Sequence, residues 1–292
     1  YRDAYKNFLN VKCPIHDYSI KNFVYFSTDR ESIKQHPFLK IARFAGAQIM
    51  YSWAMLEPEK GLYDFSTITE DFEYLKANGK MLFIQLQDVT FNPQRKAVPN
   101  YLLTKEYDGG AVMQIEDNGQ AAGWVAKRWN ANVQKRFALL LDSLGKIFDG
   151  KIEGINLQET AIEVNPKQDP NFSFDLYAKC IKQNMLKLKN AFPKSTTMQY
   201  ANFMPGEWLP WTNKGYLQSV FQYGEEIGVG IGGPDLMFRN KGQLNHILSF
   251  MHEGSFTIPL GIAVQDGNYI GKTNTEEIVN DHINIVPKLY AF

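Results

Sequence analysis

Cysteine is scarce in this chain: two of 292 residues, Cys13 and Cys180. Neither belongs to a CxxC pair or to a Cys/His cluster at metal-ligand spacing. That excludes a thiolate-built zinc or iron–sulfur site and leaves two free thiols as the simplest reading. Net charge is lacking too, since 31 basic residues balance 31 acidic ones. No long-range field draws in nucleic acid or an anionic membrane, so neither is expected as a partner. No run of 18 apolar residues exists to span a bilayer. The first strand-like segment is followed by "STDRES", which has no glycine and so cannot make the phosphate turn of a dinucleotide-binding open sheet. GxSxG, a His pair for zinc and a lysine placed for a Schiff base are all missing, so neither metal nor cofactor is expected. The chain begins at Tyr1 without a charged-then-apolar leader and reads as a mature or trimmed form.

What the chain does contain is a large apolar and aromatic content. At 44% hydrophobic and 14% aromatic, it is too apolar for disorder and long enough for a sizeable core. Short apolar runs alternate with helical periodicity along its length. Strands are predicted at 22–27, 47–53, 80–87, 151–159, 196–202, 228–233 and 258–265. Helices are predicted over 32–45, from Thr67 with Glu70 completing a capping box, and over 132–148, 173–191, 214–224 and 241–253. A last helical pattern follows Thr275. Between the third strand and the next helix, residues 89–128 form a long irregular stretch, and loops of that length are usually functional.

Seven strand–helix repeats, with strands apolar on both faces, indicate a parallel sheet covered by helices. At this length the expected fold is α/β, a (β/α)8 TIM barrel forming one domain over 1–292, with residues 1–20 as an N-terminal arm. An eighth strand is not evident. "HINIVP" at 282–287 is a candidate, but its spacing with Ile278 and Leu289 is helical, and the missing strand is expected to lie beyond Phe292.

Barrel enzymes gather their active sites at the C-terminal ends of the strands. Here those ends carry Gln85, Gln87 and Asp88 after the third strand, Gln158 and Glu159 after the fourth, and Gln199 and Asn202 after the fifth. Asp235 follows the sixth; Gln265, Asp266 and Tyr269 follow the seventh. Amides and carboxylates hydrogen-bond hydroxyl groups, and aromatics stack on the apolar faces of sugar rings. Glycoside cleavage needs two carboxyl groups facing each other across a bond, one a proton donor and the other a nucleophile or base. Glu159 and Asp266 are the candidate pair, with Tyr269 placed to hold Asp266. Gln158, Gln85, Asp88, Asn202, Asp235 and Gln265 are candidate hydroxyl binders. Trp208 and Trp211, in "PGEWLPWTN", are candidate stacking surfaces. The competing readings are structural. Asp-Gly at 266–267 is a common turn pair, a rim carboxylate often pairs with Arg or Lys, and buried amides often tie strands together.

The stretch 51–86 then becomes recognisable. Trp53, Glu57-Pro58, Gly61 and Tyr63-Asp64-Phe65 stand at the spacing of a motif in the second repeat of clan A glycoside hydrolases. The chain resembles their β-galactosidase-type families over roughly 45 to 165, and "VPNYL" at 98–102 resembles the segment after their third strand. The resemblance implies a retaining mechanism, with an acid/base Glu after the fourth strand, matched by Glu159, and a nucleophile Glu after the seventh. Two departures stand out: Gln158 precedes Glu159 where the families have Asn, and Asp266 occupies the nucleophile position. An Asp is one methylene shorter, which widens a carboxylate gap by about 1.5 Å, and retaining and inverting sites differ by little more than that. The expected function is hydrolysis of O-glycosidic bonds in an oligo- or polysaccharide by a secreted or periplasmic protein. The alternative is a carbohydrate-binding protein on a degenerate barrel. Oligomeric state is not legible.

Overall fold

The computed structural model describes residues 20–236 and 241–264. Gln265, Asp266 and Tyr269 lie outside the described residues, as do the N-terminal arm, Cys13 and the last helical pattern.

The strands are β1 (Asn22–Tyr25), β2 (Phe44–Ser52), β3 (Met81–Gln87), β4 (Val89–Thr90), β5 (Ala111–Ile115), β6 (Ala121–Ala126), β7 (Gly154–Leu157), β8 (Thr196–Tyr200), β9 (Gly230–Gly233) and β10 (Leu260–Ile262). The helices are α1 (Trp53–Leu56), α2 (Ser66–Ala77), α3 (Ala131–Phe148), α4 (Phe174–Ala191), α5 (Tyr216–Ile227), α6 (Lys241–Asn245) and α7 (Ile247–Glu253). Seven strands form a parallel sheet in the order β1-β2-β3-β7-β8-β9-β10. Strand order follows chain order, with helical crossovers: the topology of a (β/α)8 barrel with seven of its strands among the described residues.

By packing, the described residues fall into two compact units. One comprises Ile20–Gln158 with Ile162–Gln199; the other comprises Glu159–Ala161 with the described residues from Tyr200 onward.

In the first unit, register and alternation put Ala47, Ile49, Tyr51, Leu82, Ile84, Leu86, Ile155 and Leu157 on one face of the sheet. All are buried in one core with the apolar stripes of α2 and α3. The α3 stripe contains Val133, Phe137, Leu140, Leu141 and Leu144, as the spacing predicts, and continues to Phe148. Asn130 caps that helix by accepting the N–H groups of Asn132 and Val133. Gln48, Gln85, Gln87 and Asn156 occupy the opposite face of the sheet, and Gln48 Nε2 donates to Asn156 Oδ1 at 2.8 Å.

Three expectations change. Residues 32–45 form no α-helix. They make two 3-10 turns, Arg30–Ile33 and Pro37–Lys40, because Gln35 takes a positive φ of 60° and Pro37 has no N–H to continue a helix. The Thr67/Glu70 capping box does not form. The helix starts at Ser66, whose N–H donates to Asp64 Oδ1, and Glu70 pairs with Arg30 and Lys34. The stretch 89–128 is not irregular: β4, β6 and β5 form a small antiparallel sheet in that order.

In the second unit, Leu217, Val220 and Phe221 form the buried side of α5, and Phe221 stacks with Phe250 of α7 at 5.2 Å. At Gly233 of β9 the packing is close: a Cβ there would lie 2.5 Å from the Cδ1 of Ile247 in α7 and 2.7 Å from that of Ile262 in β10, so a larger residue would make these side-chain ends shift.

Candidate active site

In the first unit, the strand-end polar groups are largely engaged with protein. Asp88 accepts Arg128 Nε and Nη2 at 2.7 Å each, a buried bidentate pair, and Arg128 Nη1 also donates to the Tyr177 hydroxyl at 2.9 Å. The geometry thus gives Asp88 a structural partner where the sequence suggested a sugar hydroxyl. Gln158 is turned likewise: its Oε1 accepts the backbone N–H groups of Asp88 (3.0 Å) and Val89 (2.7 Å), tying the end of β7 to β3 and β4. Gln199 Nε2 donates to the Gln158 carbonyl at 2.7 Å. Gln85 and Gln87 differ, since each has a buried Oε1 with no hydrogen-bond partner among the described residues. An acceptor in that condition is satisfied by water or by a ligand hydroxyl.

The Trp-Glu-Pro-Gly motif also resolves into a structural cluster. Glu57 is fully buried. It accepts Trp53 Nε1 (2.8 Å) and Gly61 N–H (2.9 Å) and pairs with Arg136 of α3. Arg136 also donates to the Tyr101 hydroxyl at 3.1 Å, which links "VPNYL" to the same carboxylate. Gly61 holds a positive φ of 83° that brings its N–H onto Glu57. The long loop's tryptophans pack it down: Trp124 Nε1 donates to Pro93 O and Trp129 Nε1 to Asp169. Glu163, exposed at the start of the loop after β7, has its pKa raised by partial desolvation and by the nearby Asp117 and Glu116 carboxylates.

In the second unit, Glu159 follows β7 by two residues and is half-buried. Its Oε2 accepts Asn202 Nδ2 at 2.6 Å, while Asn202 Oδ1 accepts the Ala161 N–H at 3.3 Å. Thr160 Oγ1 donates to Phe203 O at 2.7 Å, fixing the turn that carries Glu159 against the end of β8. Beyond Asn202 an aromatic group assembles. Phe203 and Trp208 stack at 5.6 Å with a 7° interplanar angle, and the His246 ring packs against both, at 4.6 and 5.1 Å. Trp208 is 50% exposed and Trp211 70%, so both retain surface for a ligand. His246 is wholly buried. Its Nε2 accepts the Leu209 N–H at 3.0 Å, which requires the tautomer with the proton on Nδ1, donated to Gly242 O at 2.8 Å. Burial lowers its pKa, so the ring is neutral. Glu207 accepts the N–H groups of Lys214, Tyr216 and Leu217 and so closes the N-terminus of α5. Asp235 is half-buried in the segment after β9.

The structure therefore brings together Glu159 and Asn202, separately orders Trp208 and gives Asp88 and Gln158 protein partners. Sequence reasoning missed Arg128, Arg136 and Glu207, charged residues in loops or on a helix whose partners are 7 to 79 positions away. His246 is a satisfied core residue, with both ring nitrogens hydrogen-bonded. Among the described residues no group of three or more His, Cys, Asp or Glu is arranged to hold a metal ion, and no helix is long and apolar enough to cross a membrane.

No family model matches the chain, and no curated protein is detectably similar in sequence. Solved structures do share its fold. The β-galactosidase from Bacillus circulans sp. alkalophilus superimposes with a TM-score of 0.51 at 11% identity, covering 80% of this chain and 42% of that one. The β-galactosidase from the Antarctic haloarchaeon Halorubrum lacusprofundi gives 0.50 at 11% identity, covering 74% and 40%. The chain spans less than half the length of either. At these identities the likeness is one of fold, the (β/α)8 barrel.

Proposed function

We propose that the chain is a glycoside hydrolase that cleaves O-glycosidic bonds in an oligo- or polysaccharide with two carboxyl groups. The observation that carries this is the setting of Glu159: a half-buried carboxyl at the end of a central barrel strand, held by the Asn202 amide. Partial burial favours the protonated form that an acid catalyst needs at neutral pH. In the proposed reaction Glu159 gives its proton to the leaving glycosidic oxygen as the bond to the anomeric carbon breaks. Asp266 is the second carboxylate. It attacks the anomeric carbon directly, or at a wider separation removes a proton from the water that does. Trp208 and Trp211 are assigned to ring stacking and Gln85, Asp235 and Gln265 to sugar hydroxyls. The barrel fold shared with β-galactosidases supports the reading without extending to their substrate.

Replacement of Glu159 by Gln tests it. Turnover of oligosaccharides and aryl glycosides should fall by about 10³-fold, the scale of a lost general acid, with ligand affinity by calorimetry unchanged. Unimpaired turnover in Glu159→Gln removes the mechanism. A non-catalytic carbohydrate-binding protein is the second reading, favoured by the Asp at the seventh-strand position and by the exposed Trp208 and Trp211. It predicts sugar binding by the wild-type chain with no turnover at all.

A further inference from the structure

Asn202 is almost wholly buried, and the two ends of its amide do different work. Oδ1 accepts the Ala161 N–H; Nδ2 donates to Glu159 Oε2 at 2.6 Å. The first contact fixes the sense of the second. A flipped amide would set its NH2 against the Ala161 N–H and its carbonyl oxygen against a carboxyl oxygen, donor on donor and acceptor on acceptor. Asn202 therefore meets Glu159 as a donor, through a bond as short as those made to ionised acceptors.

We propose that Asn202 is a positioning residue for Glu159: its N–H bond favours the ionised carboxylate, so it lowers the carboxyl's proton affinity. This rests on the reading of Glu159 as proton donor and replaces the assignment of Asn202 to a sugar hydroxyl. The physical content is an opposition. Partial burial raises a carboxyl pKa, while a hydrogen bond to the charged form lowers it. The amide holds the acid short of the point where it would no longer release its proton. As the proton leaves, the charge that develops on Glu159 is met by a donor already in place, which needs no reorganisation. Among the described residues, the acidic groups at the neighbouring strand ends of the same unit are Asp235 after β9 and Glu207 in the loop after β8; the proposed second carboxyl, Asp266, lies outside them. Glu207 is committed to the N-terminus of α5.

The test uses the full chain labelled with ¹³Cδ-glutamate and titrated by NMR, with Glu159→Gln identifying the Glu159 signal by its loss. Asn202→Ala removes the donor and should raise the Glu159 pKa by about one pH unit. Asn202→Asp is nearly isosteric and keeps an acceptor for the Ala161 N–H, but places a second carboxylate against Oε2. The two carboxyls then share one proton, and the rise should be about two pH units or more. The alkaline limb of kcat/KM should move with these values, with kcat reduced and KM little changed, as for an interaction made in the transition state. A Glu159 pKa unmoved in both variants overturns the proposal, as does a rise in KM with the alkaline limb in place, the signature of a substrate contact. Wild-type turnover in Glu159→Gln overturns the proton-donor reading itself and the positioning role with it. An unmoved pKa alongside an inactive Glu159→Gln overturns only the role of Asn202.

Discussion

Two carboxylates, one buried and one half-buried, show at the residue scale why strand-end acids are ambiguous in a sequence. Asp88 and Glu159 each close an apolar strand, yet Asp88 is matched atom for atom by Arg128 while Glu159 is held by a neutral amide. The difference lies 40 residues away in the loop, where no local pattern announces it. Asp88→Ala should therefore act on stability. It strands a buried guanidinium, a loss on the order of 3–5 kcal/mol, read as a lower urea midpoint; KM on the best substrate should not change. Glu57 follows the same logic. Its carboxylate gathers Trp53, Gly61 and Arg136, so Glu57→Ala should cost a similar amount and Glu57→Gln less, since the amide can still accept the Trp53 N–H. An unchanged urea midpoint in Glu57→Ala would remove the structural explanation of the motif. That motif was the most legible feature of the chain, and it turns out to describe how the second repeat folds. This is why it identified the barrel more securely than any activity.

Among the elements, amphipathic helices and buried strands were legible because their apolar periodicity is local. Both ends of α3 lie within one residue of expectation. The failures have non-local or backbone causes: a positive φ at Gln35 followed by Pro37, and Glu70 drawn from a helix cap to Arg30 and Lys34. The three-stranded sheet in 89–128 escaped because its strands are short and pair with each other rather than alternating with helices. The aromatic loop after β8 offers a pH prediction. Burial lowers the folded-state pKa of His246 below the ordinary 6.5, against smaller opposing effects from the Gly242 bond and Glu207. The unfolded chain therefore takes up this proton at a higher pH than the folded one. Stability contributed here is fully present above about pH 6.5, is lost as pH falls through that value, and levels off below the folded-state pKa. Urea midpoints measured from pH 8 to pH 5 should fall for wild type and fall less for His246→Gln; parallel profiles would show that His246 does not titrate as its surroundings require.

Over the whole molecule, strand order, parallel pairing and the placing of acids at strand ends could all be read from the alternation of apolar runs. The partners of those acids could not, because hydrogen bonds such as that from Asn202 to Glu159 join residues 43 positions apart. The proposed chemistry nevertheless depends on one relation across more than a third of the chain, between Glu159 and Asp266. The most direct test is a crystal structure of the protein with a bound oligosaccharide, read for the separation of those two carboxyl groups. The proposal predicts a value between about 5 and 9.5 Å, with about 5–5.5 Å marking retention and about 6.5–9.5 Å inversion. Carboxyl groups well beyond that range, or an Asp266 side chain directed away from the sugar, would contradict it.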